Sequence, residues 1–469
     1  MQTDLSAINQ QAIKDYRGKT FLVVGAARSG VAATELLLAI GAFVVLNDSK
    51  KECELASLPD TLNHPNCKKC FGQPAEPLFS GCDYLLISPG IPCDAPLVKK
   101  AGEMGLQVIG ELEFAASCAT QEIIAVSGTN GKTTTVSLLG EIFNQSGRNA
   151  SVSGNIGYPL SAAVLRAKAD DVLIVEVSSF QMETAQNFHP RAAALLNITP
   201  DHLDRHKTME CYVSLKKKMF QNMTENDVAI LNYDDPMLRE MAGDLPAPVT
   251  WFSRCGKAKT GVVLHNDKLA FLQNGEYHAL CEAKALQIPG NHNIENALAA
   301  AAVAVRSGVP LSVISKALQS FKGVEHRIEF TAKINGVRYL NDSKGTNPDS
   351  TIKAVESMAA PTVLIAGGYD KQVSFASLAE TISGSGLVTH AILFGQTKEK
   401  IASALRDKGF DQISFVQDLE KAVSLAQELA QPGGNVLFSP ACASFGMFSD
   451  YEQRGRLFKS YVRSLKEEV

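Results

Sequence analysis

Residues 127–134 read Ser-Gly-Thr-Asn-Gly-Lys-Thr-Thr. Gly131, Lys132 and Thr133 follow the order in which a tight turn, an ammonium and a hydroxyl surround a phosphate and its Mg²⁺. The first glycine of the usual spacing falls on Val126, so the motif is altered at its start. The plain alternative is a glycine-rich turn. Glu176 sits in the apolar run 172–177. A carboxylate there is costly unless paired or bound to a metal, which makes it a Mg²⁺-ligand candidate. A carboxylate satisfied by backbone or a basic partner is the alternative. A third polar cluster, ITPDHLDRH at 198–206, follows another apolar run. Imidazole can accept a metal or contact an oxyanion. His202 is the stronger candidate there, and His206 reads as a surface residue. Lys216, Lys217 and Lys218 read as a solvated helix face.

These groups need elements to position them. Residues 123–126 read as a buried strand and a helix runs from Thr135, so a helix N-terminus faces the loop. Asn293 and Asn296 lie three apart on one face of an alanine-rich helix, where both amides can reach an adenine edge or a phosphate. Before this region, strand 20–24, the turn GAARSG at 25–30, a helix 31–40 and strand 43–46 open a Rossmann-like half. Ala27 breaks its glycine pattern, which weakens a dinucleotide site. Asp48 at the second strand end suits a hydroxyl or amide, and Lys50 a phosphate; capping and turn chemistry is the alternative. Strand 83–87 ends in SPGIP at 88–92, a rigid turn with N–H groups suited to a diphosphate. Residues 249–286 fit a small β excursion. Beyond 323, strands at 337–340, 362–366, 391–394 and 435–438 alternate with helices, and polar residues gather at their C-terminal ends. Arg327 precedes them and can clamp a phosphoryl group. Lys344, Lys371 and Ser444 can receive an anionic second substrate. Arg454, Arg456, Lys459 and Lys466 read as the solvated face of a final helix.

At 469 residues the chain exceeds one core. The fold expected is α/β in three domains: Rossmann-like over 1–117, a central P-loop-type ATPase with a mostly parallel sheet over 118–323, and Rossmann-like again over 324–469. Lys+Arg 45 against Asp+Glu 49, a net charge of −4, argues against a nucleic-acid tract or membrane-binding face. The N-terminus lacks a signal-peptide pattern and no apolar run reaches membrane-spanning length. The ten scattered cysteines read as reduced cytosolic thiols, and Cys67-x-x-Cys70 without a second pair reads as coincidence rather than zinc. A cytoplasmic monomer is expected.

Nine stretches together resemble the Mur ligases: GTNGKTT, GNIG, EVSSFQ, ITPDHLDRH, PGNHNIENALAA, EHRIE, NDSKGTNPDS, GGYDK and SPACASFGMF. The resemblance covers the whole chain. It implies an ATP-dependent ligase of cell-wall peptidoglycan synthesis, in which ATP phosphorylates the carboxylate of UDP-N-acetylmuramoyl-L-alanine and D-glutamate attacks the acyl phosphate. It gives catalytic roles to Lys132, Glu176, His202 and Lys216. Gly128, Thr129, Asn130, Gly131, Lys132, Thr133, Thr134, Asn296, Arg327 and Asp342 would bind ATP. Two Mg²⁺ ions are implied, on Thr133, Glu176, His202 and a carbamylated Lys216, the last in a Tyr-x-x-x-Lys pattern with Tyr212. Arg28, Ser29, Asp48, Ser49 and Lys50 match uracil-binding loops, and Ser88 and Gly90 a diphosphate turn. Asn155 and His202 would contact the UDP substrate. Thr346, Lys371, Ser444, Phe445 and Tyr451 would bind D-glutamate. Gly446, where the family usually has Asp, and Ala27 are departures. Rival readings are a ligase of the same family with another amino acid, a non-catalytic nucleotide-binding protein and a dehydrogenase.

Overall fold

The computed structural model describes residues 5–55, 57–288, 290–371 and 373–465, with Asp204 as backbone only. The chain divides into two compact units. The first holds the described residues up to Leu286 together with Ile294–Phe321; the second holds Gln287–Asn293 and the residues from Lys322 on.

The first unit contains two sheets. Strands β1 (Thr20–Val24), β2 (Phe43–Asp48), β3 (Cys67–Phe71), β4 (Tyr84–Ile87) and β5 (Gln107–Gly110) are all parallel, in the order β3-β2-β1-β4-β5. The connections reverse direction between β1 and β4, which opens a crevice beyond their C-terminal ends. Gly25, after β1, and Ser88, after β4, face each other there: a Cβ on Gly25 would stand 2.8 Å from Ser88 Oγ. β3 escaped the sequence reading because its run, CKKCF, is half polar. It is an edge strand. Cys67 and Cys70, three apart on it, project to opposite faces and cannot close on one ion.

The second sheet has nine strands: β6 (Glu122–Ser127), β7 (Ala150–Gly154), β8 (Val172–Glu176), β9 (Ala192–Leu195), β10 (Val228–Asn232), β11 (Val249–Ser253), β12 (Gly261–His265), β13 (Lys268–Gln273) and β14 (Glu276–Glu282). Their order is β14-β13-β12-β11-β10-β9-β6-β8-β7. The sheet is parallel from β7 to β12, and β13 and β14 add an antiparallel edge. Only β12–β14 leave the α/β pattern, so the expected β excursion begins one strand later than the sequence reading placed it. Asn274 and Gly275 (φ 53° and 81°) make the hairpin turn between β13 and β14. β6 and β8 are buried on both faces, hence their continuous Ile, Leu and Val. β6 lies between β8 and β9, where the connections again reverse direction.

The second unit is one six-stranded sheet: β15 (Glu329–Ile334), β16 (Val337–Asn341), β17 (Thr362–Gly368), β18 (Val388–Gly395), β19 (Ile413–Phe415) and β20 (Asn435–Phe438), in the order β15-β16-β20-β17-β18-β19. All but β15 are parallel. The loops after β16, β20 and β17 are therefore neighbours at one edge. Apolar clusters cover both faces, one around Leu364, Leu393 and Leu437, the other around Ile365, Phe438 and Phe458.

Candidate active site

Beyond β6 the chain turns through Gly128 (φ 151°) and Gly131 (φ 86°), conformations that side chains resist. Gly131 is also required by space: a Cβ there would lie 2.2 Å from Asn296 Oδ1. The following helix, Lys132–Gln145, begins three residues earlier than the sequence pattern suggested, with Gly131 as its N-cap. Its unsatisfied N–H groups thus point back into the loop, an anion-binding arrangement. The segment after β9 braces the loop. Asn130 N–H donates to Asn197 Oδ1 (2.9 Å), Thr129 N–H to the Asn197 carbonyl (3.0 Å), and Thr129 Oγ1 to the Thr199 carbonyl (3.0 Å). Lys132 Nζ folds over the loop, donating to the carbonyls of Gly128 (2.7 Å) and Thr129 (2.8 Å). Thr134 is buried in the first helical turn.

Glu176 ends β8, directly beside Val126 of β6. It is 2 % exposed. Thr133 Oγ1 donates to its Oε2 (2.8 Å), and Asn155 Nδ2 donates to its Oε1 (2.9 Å). A hydroxyl and a carboxylate meeting beside a phosphate loop are hard oxygen donors of the kind Mg²⁺ takes. Both carboxylate oxygens are thus hydrogen-bonded, and the Glu176 charge also acts on the buried Lys216.

Lys216 is not on a solvated face. It is 2 % exposed, in the helix Met209–Lys217. Its Nζ donates to the Gly128 carbonyl (3.0 Å) and Ser127 Oγ (3.4 Å) and lies 4.7 Å from the Tyr212 ring centre. Gly128 O therefore receives both Lys132 and Lys216. Burial, then the neighbouring Lys132 charge, hold the Lys216 pKa well below the usual lysine range. Lys217, next in sequence, instead pairs with Asp244 on the surface (2.7 Å). His206 also departs from its surface reading. It is 4 % exposed, its Nε2 bonds Ser179 Oγ (2.9 Å), and Tyr212 stacks on it at 5.5 Å. His202 is the more exposed of the two, with φ 53° and its ring 4.7 Å from Phe180.

Sequence reasoning passed over Arg205 and Glu183. Arg205 Nε and Nη2 donate to the two Glu183 oxygens (2.8 and 2.7 Å), and its nitrogens reach the carbonyls of Gly90 (3.2 Å) and Ile91 (3.3 Å). This pair ties the 88–92 turn to the loop carrying His202. At the first sheet's edge, Asp48 Oδ2 accepts from Ala26 N–H (2.8 Å) and Oδ1 from Lys50 N–H (2.9 Å). Asp48 thus performs the turn chemistry foreseen as its alternative. Arg28, Ser49, Lys50 and Gly90 are exposed, Ser29 half-buried, and Ser88 Oγ donates to the Val24 carbonyl (3.2 Å).

In the second unit Asp342 follows β16 and is 2 % exposed. Ser439 Oγ donates to its Oδ2 (2.6 Å) and Ile328 N–H to its Oδ1 (3.3 Å). Burial pushes its pKa up to about 6, against the lowering pull of Arg327 and these bonds. Thr346 is half-buried, Lys371 exposed, Ser444 buried, and Phe445 57 % exposed with its ring 6.1 Å from Tyr369. Tyr451 lies under Lys344 Nζ at 5.3 Å. Arg454 is the largest correction to the sequence reading: on the final helix, Tyr451–Ser464, it is 0 % exposed. Lys459, from the same supposed face, bonds Glu325 and Glu329. Those glutamates and His326 form a ligand-like trio whose two carboxylates this ammonium already bridges.

Three family models match in succession: "Mur ligase MurD-like, N-terminal domain" over 19–110, "Mur ligase middle domain" over 126–304 and "Mur ligase, glutamate ligase domain" over 326–442. The UDP-N-acetylmuramoylalanine--D-glutamate ligase of Thermoanaerobacter sp. (strain X514) is 43 % identical over 454 residues, 96 % of this chain and 100 % of that one. The protein of the same name from Clostridioides difficile (strain 630) is 42 % identical over 462 residues, again 96 % and 100 %. Among solved structures, UDP-N-acetylmuramate-alanine ligase MurC from Thermotoga maritima superposes with a TM-score of 0.62 at 19 % identity, covering 96 % of this chain and all of that one. MurF ligase from Thermotoga maritima, in complex with ADP, gives 0.61 at 17 %, covering 98 % and 99 %. At those identities the two structures speak for the fold. Together with the full-length relatives and the three consecutive domain matches, they place the chain in the Mur ligase family.

Proposed function

We propose that this chain joins D-glutamate to UDP-N-acetylmuramoyl-L-alanine, converting ATP to ADP and phosphate, as a step in peptidoglycan precursor synthesis. The observation that carries the reading is the buried Thr133–Glu176 contact of 2.8 Å beside Lys132 and the helix N-terminus. The relatives' shared name supplies the substrates. Residues 1–117 would hold the UDP substrate, 118–323 ATP, and 324–469 the amino acid.

Carboxylate and amine do not condense unaided in water. A substrate carboxylate oxygen attacks the γ-phosphorus and ADP leaves; the deprotonated amine then attacks the acyl carbon, and phosphate departs through a tetrahedral intermediate. In the first step Lys132 would leave its loop carbonyls and, with the helix N–H groups, bind the β- and γ-phosphates, neutralising charge as it shifts. Thr133 and Glu176 would hold Mg²⁺, which supplies Lewis-acid stabilisation of the phosphate oxygens. Asn155, already on Glu176, would orient the UDP substrate. Asn296, Arg327 and Asp342 would hold the nucleotide. Burial holds the Lys216 pKa well below the usual lysine range, which favours the unprotonated amine that adds to CO₂. The resulting N6-carboxylysine would offer carboxylate oxygens to a second ion, which His202 would help to bind.

Phosphate release with UDP-N-acetylmuramoyl-L-alanine tests this reading. Release with D-glutamate, none with L-glutamate, and none in Lys132→Ala is the expected pattern. Full ligation by Lys132→Ala would overturn it, and activity with the L form alone would remove the stereochemical claim. A non-catalytic nucleotide binder would bind ATP and release no phosphate whichever acceptor is supplied.

A further inference from the structure

Arg454 is a fully buried guanidinium whose hydrogen bonds, among the described residues, go to two backbone carbonyls and a hydroxyl. Its Nε donates to Ser343 Oγ (3.0 Å), Nη2 to the Ser343 carbonyl (2.6 Å) and Nη1 to the Cys442 carbonyl (3.0 Å). Ser343 Oγ passes the contact on, donating to the Tyr451 carbonyl (2.8 Å). A third loop closes on the same group: a Cβ on Gly368 would stand 3.4 Å from Nη1 and 2.5 Å from the Ala443 carbonyl. Tyr369 N–H donates to that carbonyl (3.0 Å), and Thr397 Oγ1 bonds both Gly368 N–H (3.1 Å) and Cys442 Sγ (3.1 Å).

The three loops are those after β16, β17 and β20, adjacent through the strand order. Each carries residues assigned above to the amino acid: Thr346 on the first, Lys371 on the second, Ser444 and Phe445 on the third. We propose that Arg454 is a positioning residue that fixes these three loops relative to one another and so sets the enzyme's affinity for its incoming amino acid, while leaving activation of the UDP substrate untouched. The inference rests on the proposed ligase reading. Its physical basis is geometric. A planar fork with five donors spans three acceptors on two loops at once, which a lysine ammonium on a flexible stem cannot do with the same geometry. A buried cation also costs free energy unless its surroundings satisfy it, and here two backbone carbonyls and a hydroxyl do so. The charge adds to the positive potential that the two carboxylates of the amino acid meet from Lys344 and Lys371.

The test uses the full-length enzyme with Arg454→Met, Arg454→Lys and Ser343→Ala, each checked for its thermal unfolding midpoint. Four readouts are taken: KM for D-glutamate, for ATP and for UDP-N-acetylmuramoyl-L-alanine, and acyl phosphate trapped by borohydride without amino acid. KM for D-glutamate should rise at least about tenfold in Arg454→Met and less in Arg454→Lys and Ser343→Ala. The other two KM values should stay within about twofold and acyl phosphate should form as in the parent. An unchanged D-glutamate KM in a folded variant overturns the proposal. So does a parallel loss of all three affinities together with the acyl phosphate. If Arg454→Met does not fold, Arg454→Lys and Ser343→Ala decide by the same split. The parent protein's own amino-acid dependence is read in the same assay. A different preferred amino acid would refute the D-glutamate reading, and the loop claim is then judged on that amino acid's KM.

Discussion

Asp342→Asn should remove a pH dependence of stability from the second unit. The carboxyl is 2 % exposed, and burial moves its pKa from 3.8 to about 6. Below about pH 4 both folded and unfolded chains carry the proton, so the group is neutral to folding. Between 3.8 and about 6 the unfolded chain ionises first while the buried carboxyl keeps its proton, and stability falls as pH rises. Above the folded value the loss is complete, and it amounts to ~3 kcal/mol at about 1.4 kcal/mol per tenfold. Roughly 1 kcal/mol of it falls between about pH 5 and about pH 7. Asn keeps the shape and can accept from Ser439 Oγ, but it does not ionise. The only tryptophan, Trp251, lies in the first unit, so its fluorescence does not report this region. Hydrogen exchange of the β16 and β20 amides does. The variant should gain on the parent protein by about 1 kcal/mol over that pH range, and its ATP affinity should drop. A constant difference would refute the burial argument. A parent protein that gains on the variant with rising pH would mean that Asp342 is held down by Arg327 rather than pushed up by burial.

Further outcomes follow from the first unit. Gly131→Ala forces a side chain into a left-handed turn and against Asn296 Oδ1, so nucleotide affinity measured by calorimetry should fall at least about tenfold. Lys216→Met replaces a buried amine by an apolar chain of similar length; the unfolding midpoint should hold or rise, while ligation drops on the order of 100-fold. A variant with a lowered midpoint and intact activity would make Lys216 structural. Glu183→Gln leaves the Arg205 guanidinium without its carboxylate, at a cost of about 2–4 kcal/mol. Thermal unfolding should show this loss, together with a raised KM for the UDP substrate because Arg205 holds the Gly90 and Ile91 carbonyls.

The phosphate loop was legible because its chemistry is local. Glycine, lysine and threonine sit between a buried strand and a helix, and Glu176 stands out as a charge in an apolar run. Sheet edges were less legible. β3 is half polar, and the short β19 (ISF) offers too few residues for a period. Hidden cations were not legible at all. In Lys216-Lys217-Lys218 nothing local separates the buried first lysine from its exposed neighbour; only the approach of the helix to Ser127 and Gly128 does so. Arg454 reads as one more charge on an amphipathic helix, because the carbonyls it satisfies lie 12 and 111 residues away. His206 was missed for the same reason, its partner Ser179 being 27 residues distant. The family resemblance singled out Lys216 but supplied no signal for Arg454.

Oxygen tracing tests the central claim most directly. UDP-N-acetylmuramoyl-L-alanine carrying ¹⁸O in its alanyl carboxylate is turned over with ATP and D-glutamate, and each product is weighed by mass spectrometry. If a carboxylate oxygen attacks the γ-phosphorus held by Lys132, Thr133 and Glu176, one label ends in inorganic phosphate, one stays in the new amide and ADP carries none. Label in AMP, or phosphate free of label, would mean that the acyl group is activated by other chemistry than this site provides.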